Sequence, residues 1–173
     1  MHKILEIGPG RGDFLFHLAE INPDAKVIGI ELKPMRYFKL IDRMQKRGLT
    51  NIQLIQADAR LAVEELFEKN SLDEIHINFP DPWPKRRHGK NRLITAEFVK
   101  NCSNLLKKDG VLNIVTDAEF YADEIRDKIF ECTKKGTGTF FSEKRCLSPF
   151  PTLFAQKWMK EGRRIYPMRW VKR

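Results

Sequence analysis

The chain has 173 residues, 42% hydrophobic and 32% charged, with a net charge of +9 at neutral pH. That is one domain's length with room for a continuous core, and the composition excludes a disordered chain. No apolar run reaches bilayer length, the start has no signal-peptide layout, and three cysteines without CxxC spacing fit a reduced compartment. The expectation is a cytoplasmic protein with no membrane segment and no metal.

Hydrophobic periodicity predicts alternating strands and helices. Ile4–Ile7 is a short strand ending in glycines, and a helical pattern begins at Phe14. Lys26–Glu31 is a second strand, and 34–47 a helix with Phe38, Ile41 and Met44 on one side, stopped by Gly48. Ile52–Ile55 is a third strand, followed by a helix through Leu61, Val63, Leu66 and Phe67. Asp73–Phe79 is a fourth. Thr95 caps a helix carrying Phe98, Val99, Cys102, Leu105 and Leu106, and Gly110 closes its turn. Val111–Thr116 is a fifth strand, then a helix runs from about Glu119 to Cys132. Such alternation predicts a parallel sheet covered on both faces. After Gly138 the pattern changes: Thr139–Arg145 and Arg164–Val171 read as an antiparallel pair at the sheet edge, with no full helix between them.

Charge is unevenly placed. Residues 1–80 carry 11 Lys/Arg and 12 Asp/Glu, whereas 81–173 carry 21 and 11. Within the second half, 85–92 holds five cations and no acid, and 157–173 holds seven against Glu161. Clustering of this kind points to a polyanionic partner, with nucleic acid the leading candidate.

Two stretches carry the chemistry. Glu6-Ile7-Gly8-Pro9-Gly10-Arg11-Gly12 puts glycines at alternate positions where a strand turns into a helix, which allows close approach of a ligand. A dinucleotide fingerprint requires glycine where Asp13 stands. Glu6 disfavours a pyrophosphate and suits an ammonium. Glu31, ending the second strand, stands where a carboxylate accepts ribose hydroxyls. Asp58, ending the third, is placed to accept from an adenine amino group. Acids at strand ends also cap helices, but together these three describe a nucleoside with an amino-acid tail, which is S-adenosylmethionine. The second stretch, HINFPDPWPKRRHGKNRL over 76–93, leaves a strand through three prolines bracketing Asp81 and Trp83, then becomes densely basic. Asp81 is either an acid at the reacting centre or a turn carboxylate capping a backbone N–H, and Trp83 packs in the core or stacks on a base.

With both stretches in view, the chain closely resembles the bacterial tRNA (guanine-N7)-methyltransferases, the TrmB family. The resemblance rests on Glu6-Ile-Gly-x-Gly-x-Gly12, Gly29-Ile-Glu31, the block from Asn78 through Asp81, Trp83, Lys85, Arg87, His88, Lys90 and Arg92 to Leu93, Thr116-Asp117 and Pro151-Thr152. It covers nearly the whole chain, and the F-P-D-P-W-P-K-x-R-H block is highly specific.

The resemblance implies an α/β class I methyltransferase domain over 1–173, with a Rossmann-like, doubly wound, mostly parallel seven-stranded sheet and an antiparallel last strand. It implies methyl transfer from S-adenosyl-L-methionine to N7 of a guanine in the tRNA variable loop, leaving S-adenosyl-L-homocysteine, by a monomer or homodimer. Carried over by position, Asp81 is catalytic, and Glu6, Gly8, Gly10, Gly12, Glu31, Asp58, Ala59, Asn78 and Asp81 form the cofactor set. Lys85, Asp117 and Thr152 contact substrate, while Arg87, His88, Lys90, Asn91 and Arg92 contact RNA.

Two positions depart from the family pattern: Ala155 stands where the family usually has glutamate, and the chain opens directly on its first strand, without the segment members generally carry before it. An acid at 155 would help receive the guanine. A non-catalytic RNA-binding module on the same fold is therefore the competing reading, along with a methyltransferase for another RNA base. Enzymes acting on exocyclic amines show a shorter [D/N]-P-P-[Y/F/W] motif after this strand. A small-molecule methyltransferase leaves the basic second half unexplained.

Overall fold

The computed structural model describes residues 1–134, 141–144 and 153–173. Its seven strands are β1 (Lys3–Ile7), β2 (Lys26–Glu31), β3 (Ile52–Gln56), β4 (Leu72–Asn78), β5 (Leu106–Thr116), β6 (Phe141–Lys144) and β7 (Tyr166–Lys172). They form one sheet in the order β3-β2-β1-β4-β5-β7-β6. The first five strands pair in parallel, and β7 lies antiparallel to both β5 and β6. Six helices connect them: α1 (Asp13–Ile21), α2 (Pro34–Lys46), α3 (Ala59–Glu65), α4 (Ala96–Leu105), α5 (Glu119–Lys134) and α6 (Leu153–Lys160).

Strand residues alternate between two hydrophobic layers, as the period of two requires. On β1, Leu5 and Ile7 join the larger core with Val63, Phe98, Tyr121 and Ile125 from α3, α4 and α5. Ile4 joins a smaller core with Phe14, Leu15 and Leu18 of α1. Burial on both faces explains why β1 and β2 read as nearly unbroken apolar runs. Their carboxyl ends break that rule: Glu6 and Glu31 are buried there.

The strand order reverses between β1 and β4. From β1 the chain crosses outward to β2 and β3, then returns to build β4 and β5 on the other side. Diverging crossovers open a crevice beyond the carboxyl ends of β1 and β4, where open α/β sheets bind ligands.

The expected elements are present, with four differences. α2 buries Leu40 rather than Phe38, which is exposed, so its inward stripe is one turn narrower than the spacing suggested. The chain does not end a turn at Gly110: Asp109 takes the left-handed conformation (φ 63°) and β5 already begins at Leu106. A short helix, α6, lies between the last two strands, where none was expected. The basic segment Arg86–Asn91, for which no element was expected, forms a 3-10 helix. Thr95 caps α4 as anticipated, its Oγ1 accepting from the Phe98 N–H at 3.1 Å.

Candidate active site

β1 delivers Glu6 to the crevice, and β4 delivers Asn78 beside it. The Asn78 amide donates to Glu6 Oε1 at 3.2 Å, while Glu6 Oε2 is buried without a hydrogen-bond partner. Burial pushes the Glu6 carboxyl up to about 8; the Asn78 hydrogen bond opposes this, and the negative charges of Asp13 and Glu31 add to it. A half-satisfied buried carboxyl is costly unless a donor completes it, and an ammonium is the donor that best stabilises its ionised form.

The glycine turn follows at once. A methyl group on Gly12 (φ 83°) would lie 2.5 Å from a Leu40 carbon and 2.6 Å from a Phe16 carbon, so this glycine lets α1 and α2 pack. A methyl group on Gly8 (φ 70°) would meet nothing within 4 Å. The two glycines therefore differ in surroundings: Gly12 lies against packed side chains, and Gly8 borders open space where a ligand's tail can lie against backbone.

Glu31 is held in place by its own chain. Its Oε1 accepts the Lys33 N–H at 2.9 Å and its Oε2 accepts the Gly10 N–H at 3.2 Å, which ties the end of β2 to the glycine turn. Each oxygen keeps a second lone pair for a ribose hydroxyl. Asp58 is the N-cap of α3, accepting from the Arg60 N–H at 2.8 Å, so the capping role is real. One carboxylate can cap and still present its other oxygen. Ala59, half-buried, starts the same helix.

Beyond Asn78 the chain turns sharply. Phe79 and Trp83 both have positive φ, 50° and 44°, which is uncommon for aromatic residues. The Phe79 N–H still reaches the Val115 carbonyl at 2.8 Å, so the corner starts from a fixed ladder bond. Asp81 is exposed, and no hydrogen bond or ion pair holds it among the described residues; the turn-cap alternative is not what the structure forms. Trp83 is 37% exposed and meets the His88 ring edge-on at 5.7 Å, so it is not a core residue.

The basic residues separate into two kinds. Lys85, Arg87, Lys90 and Asn91 are exposed, and His88 is half-buried beneath Trp83. Arg92 instead points inward, its side chain only 12% exposed. It donates to the carbonyls of Pro82 and Trp83 at 2.8 and 2.9 Å and pairs with Glu124 of α5. The structure thus groups Arg92 with the corner rather than with the exposed cations. Sequence reasoning passed over Glu124, because a lone helical acid belongs to no motif; its only signal was an otherwise unmatched arginine ending a conspicuous block.

Asp117 follows β5, the strand beside β4, and is half-buried. Its Oδ2 lies 3.7 Å from Arg163, whose guanidinium sits 3.7 Å above the Trp158 ring. Such a part-exposed pair contributes at most about 1 kcal/mol, so a substrate donor can compete for the carboxylate. Thr152 lies outside the described residues. Ala155, in α6, is fully buried. Among the described residues no cluster of side chains suits a metal ion, and no helix is long and apolar enough to cross a membrane.

Comparison with known proteins identifies the family and the fold. A family model described as "Putative methyltransferase" matches residues 2–168. A tRNA (guanine-N(7)-)-methyltransferase of Nitrosomonas eutropha is 40% identical over 164 residues, covering 94% of this chain and 73% of that protein. One from Thermotoga maritima is 34% identical over 165 residues, covering 94% of this chain and 51% of that protein, so the chain spans about half the length of that relative. Among solved structures, a SAM-dependent methyltransferase from Aquifex aeolicus aligns with a TM-score of 0.65 at 14% identity, over 99% of this chain and 81% of that one. The antibiotic-resistance methyltransferase Kmr aligns at 0.67 and 18% identity, over 99% and 86%. At those identities the structural likeness concerns the fold.

Proposed function

We propose, from the premise that this chain belongs to the tRNA (guanine-N(7)-)-methyltransferase family, that it moves a methyl group from S-adenosyl-L-methionine to N7 of a guanine in tRNA. The observation that carries this reading is the half-satisfied Glu6 at the switch point, a buried acceptor suited to the ammonium of an amino-acid tail. Glu31 and Asp58, at the ends of β2 and β3, suit the ribose and adenine of the same molecule. Gly8, Gly10, Ala59 and Asn78 complete its floor and walls, and Gly12 acts through packing.

Bound by Glu6, Glu31 and Asp58, S-adenosyl-L-methionine would supply an electrophilic methyl on sulfonium sulfur, which the N7 lone pair would accept while the carbon–sulfur electron pair stays with sulfur, leaving S-adenosyl-L-homocysteine. Guanine N7 carries its lone pair in the ring plane, so no strong base is required. What this chain contributes is alignment and charge. Asp81, on the corner after β4, lies at the reacting centre and balances the positive charge that passes to the purine. Asp117 accepts from the guanine N1–H and N2 amino group, with Lys85 and Thr152 as further substrate contacts. Lys90, Arg87, His88 and Asn91 meet the RNA backbone, and the guanine lies in the variable loop. A tRNA substrate fits a cytoplasmic protein.

Transcripts built with 7-deazaguanosine test the acceptor atom, since they carry C–H where guanine has N7. They are expected to take up no label from methyl-labelled S-adenosyl-L-methionine while ordinary transcripts do. Equal uptake by both would rule out N7.

A further inference from the structure

We infer that Arg92 is a positioning residue that fixes the Asp81 corner through Glu124, and that it is not a contact to RNA. The inference rests on the reading of Asp81 as the group at the reacting centre. It starts from a weakness of the corner itself. Pro80, Pro82 and Pro84 have no N–H, so the segment has few donors with which to hold its own shape. Phe79 and Trp83 also sit at positive φ, a conformation that persists when its surroundings enforce it. What the corner does offer is carbonyl oxygens, and those need a donor from elsewhere.

Arg92 supplies it. Its Nε donates to the Pro82 carbonyl at 2.8 Å and its terminal nitrogen to the Trp83 carbonyl at 2.9 Å, the two peptide oxygens on either side of Trp83. The remaining terminal nitrogen pairs with Glu124, which fastens the fork to α5. The guanidinium also lies over the rings of Phe120 and Tyr121, at 5.4 and 5.8 Å from their centroids. Its backbone is fixed as well, because Arg60 donates to the carbonyls of Asn91 and Arg92 at 3.1 and 3.0 Å.

A planar fork with every nitrogen engaged by protein has little left for a phosphate. Only arginine can do this work: a lysine ammonium has the charge but not the spread to reach two carbonyls and a carboxylate together. Asp81 precedes the gripped peptide directly. Released from it, the carboxylate would wander by an ångström or more, enough to cost about a hundredfold in an alignment-driven reaction.

Three measurements on Arg92→Lys, Arg92→Ala, Glu124→Ala and Arg87→Ala, each checked for native circular dichroism, decide the matter. In Arg92→Lys, kcat is expected to fall about 10- to 100-fold with the KM for S-adenosyl-L-methionine unchanged. In Arg92→Ala the salt dependence of tRNA binding should keep its slope, whereas Arg87→Ala lowers it by about one. The indole N–H resonance of Trp83, assigned by its loss in Trp83→Phe, should shift in Arg92→Lys and in Glu124→Ala and stay in place in Arg87→Ala. Should Arg92→Lys fail to fold, Glu124→Ala carries the kcat and Trp83 resonance readouts. An unchanged kcat and an unmoved Trp83 resonance in Arg92→Lys or Glu124→Ala, or a reduced salt slope in Arg92→Ala, would overturn the inference. If the parent chain transfers no methyl at all, the reading of Asp81 fails, while the resonance and salt-slope results still decide whether Arg92 grips the corner.

Discussion

Asn78 donates one hydrogen bond to Glu6 across the reversal in strand order, and that bond satisfies half of a carboxyl that the fold has otherwise removed from water. The pair links the ends of β1 and β4, the two strands that border the crevice. With its carboxyl raised to about 8, chiefly by burial, Glu6 is mostly protonated at neutral pH before a ligand arrives. An ammonium favours the ionised form, so binding of S-adenosyl-L-methionine should release a proton below about pH 8 and tighten as pH rises toward that value. Calorimetry in buffers of differing ionisation enthalpy measures the proton; a proton count of zero at pH 7 would contradict this role for Glu6.

The same shift fixes a stability profile. A carboxyl whose folded value lies above its unfolded one contributes stability that is present in full below the unfolded value of 4.5 and is lost as pH rises through about 8. Glu6→Gln removes that dependence. The variant should be more stable than the parent at pH 8.5, by on the order of a few kcal/mol, and should lose the advantage near pH 4. It should also bind S-adenosyl-L-methionine far more weakly. Parallel melting curves of variant and parent across pH 4 to 9, taken as a round bracket on the titration, would rule the profile out.

Gly8 and Gly12 should fail in different ways. Gly12→Ala forces a methyl group against Leu40 and Phe16 at positive φ, and is expected to lose about 2–4 kcal/mol in urea unfolding. Gly8→Ala carries only the backbone strain, roughly 1–2 kcal/mol, because its methyl group meets nothing. Its loss should appear in cofactor binding. Equal stability losses with equal residual binding would mean that the space over Gly8 holds no ligand.

Asp81→Ala should leave the fold intact, since the side chain is exposed and holds no partner among the described residues. Turnover should fall by about two orders of magnitude. Turnover near the parent's, with native circular dichroism, would take Asp81 out of the reaction.

Removing Arg87 and Lys90 together should weaken tRNA binding and reduce the salt slope by about two, one per phosphate contact. Both side chains are exposed, so stability should change little. An unchanged slope would assign these cations to the solvated surface.

Much of this was legible in the sequence because local chemistry and global fold agree. Alternating apolar strands and amphipathic helices specify the parallel sheet, and the glycine turn after Glu6 marks the switch point. What escaped depends on partners far apart in sequence. Arg92 and Arg87 look alike in a basic run, and only the position of Glu124, 32 residues on, separates a clamp from a surface cation. Phe38 and Leu40 are equally apolar, so spacing did not reveal which one α2 turns inward. The helix α6 is eight residues long, too short for periodicity to distinguish it from a loop.

The most direct test of the account is where the methyl group goes. Unmodified tRNA is incubated with the chain and S-adenosyl-L-methionine, then reduced with borohydride and treated with aniline, which cuts the backbone at N7-methylguanosine. The account predicts one new cut, at a guanine of the variable loop, that requires both the cofactor and Asp81. Methyl label in the tRNA without a cut would contradict it.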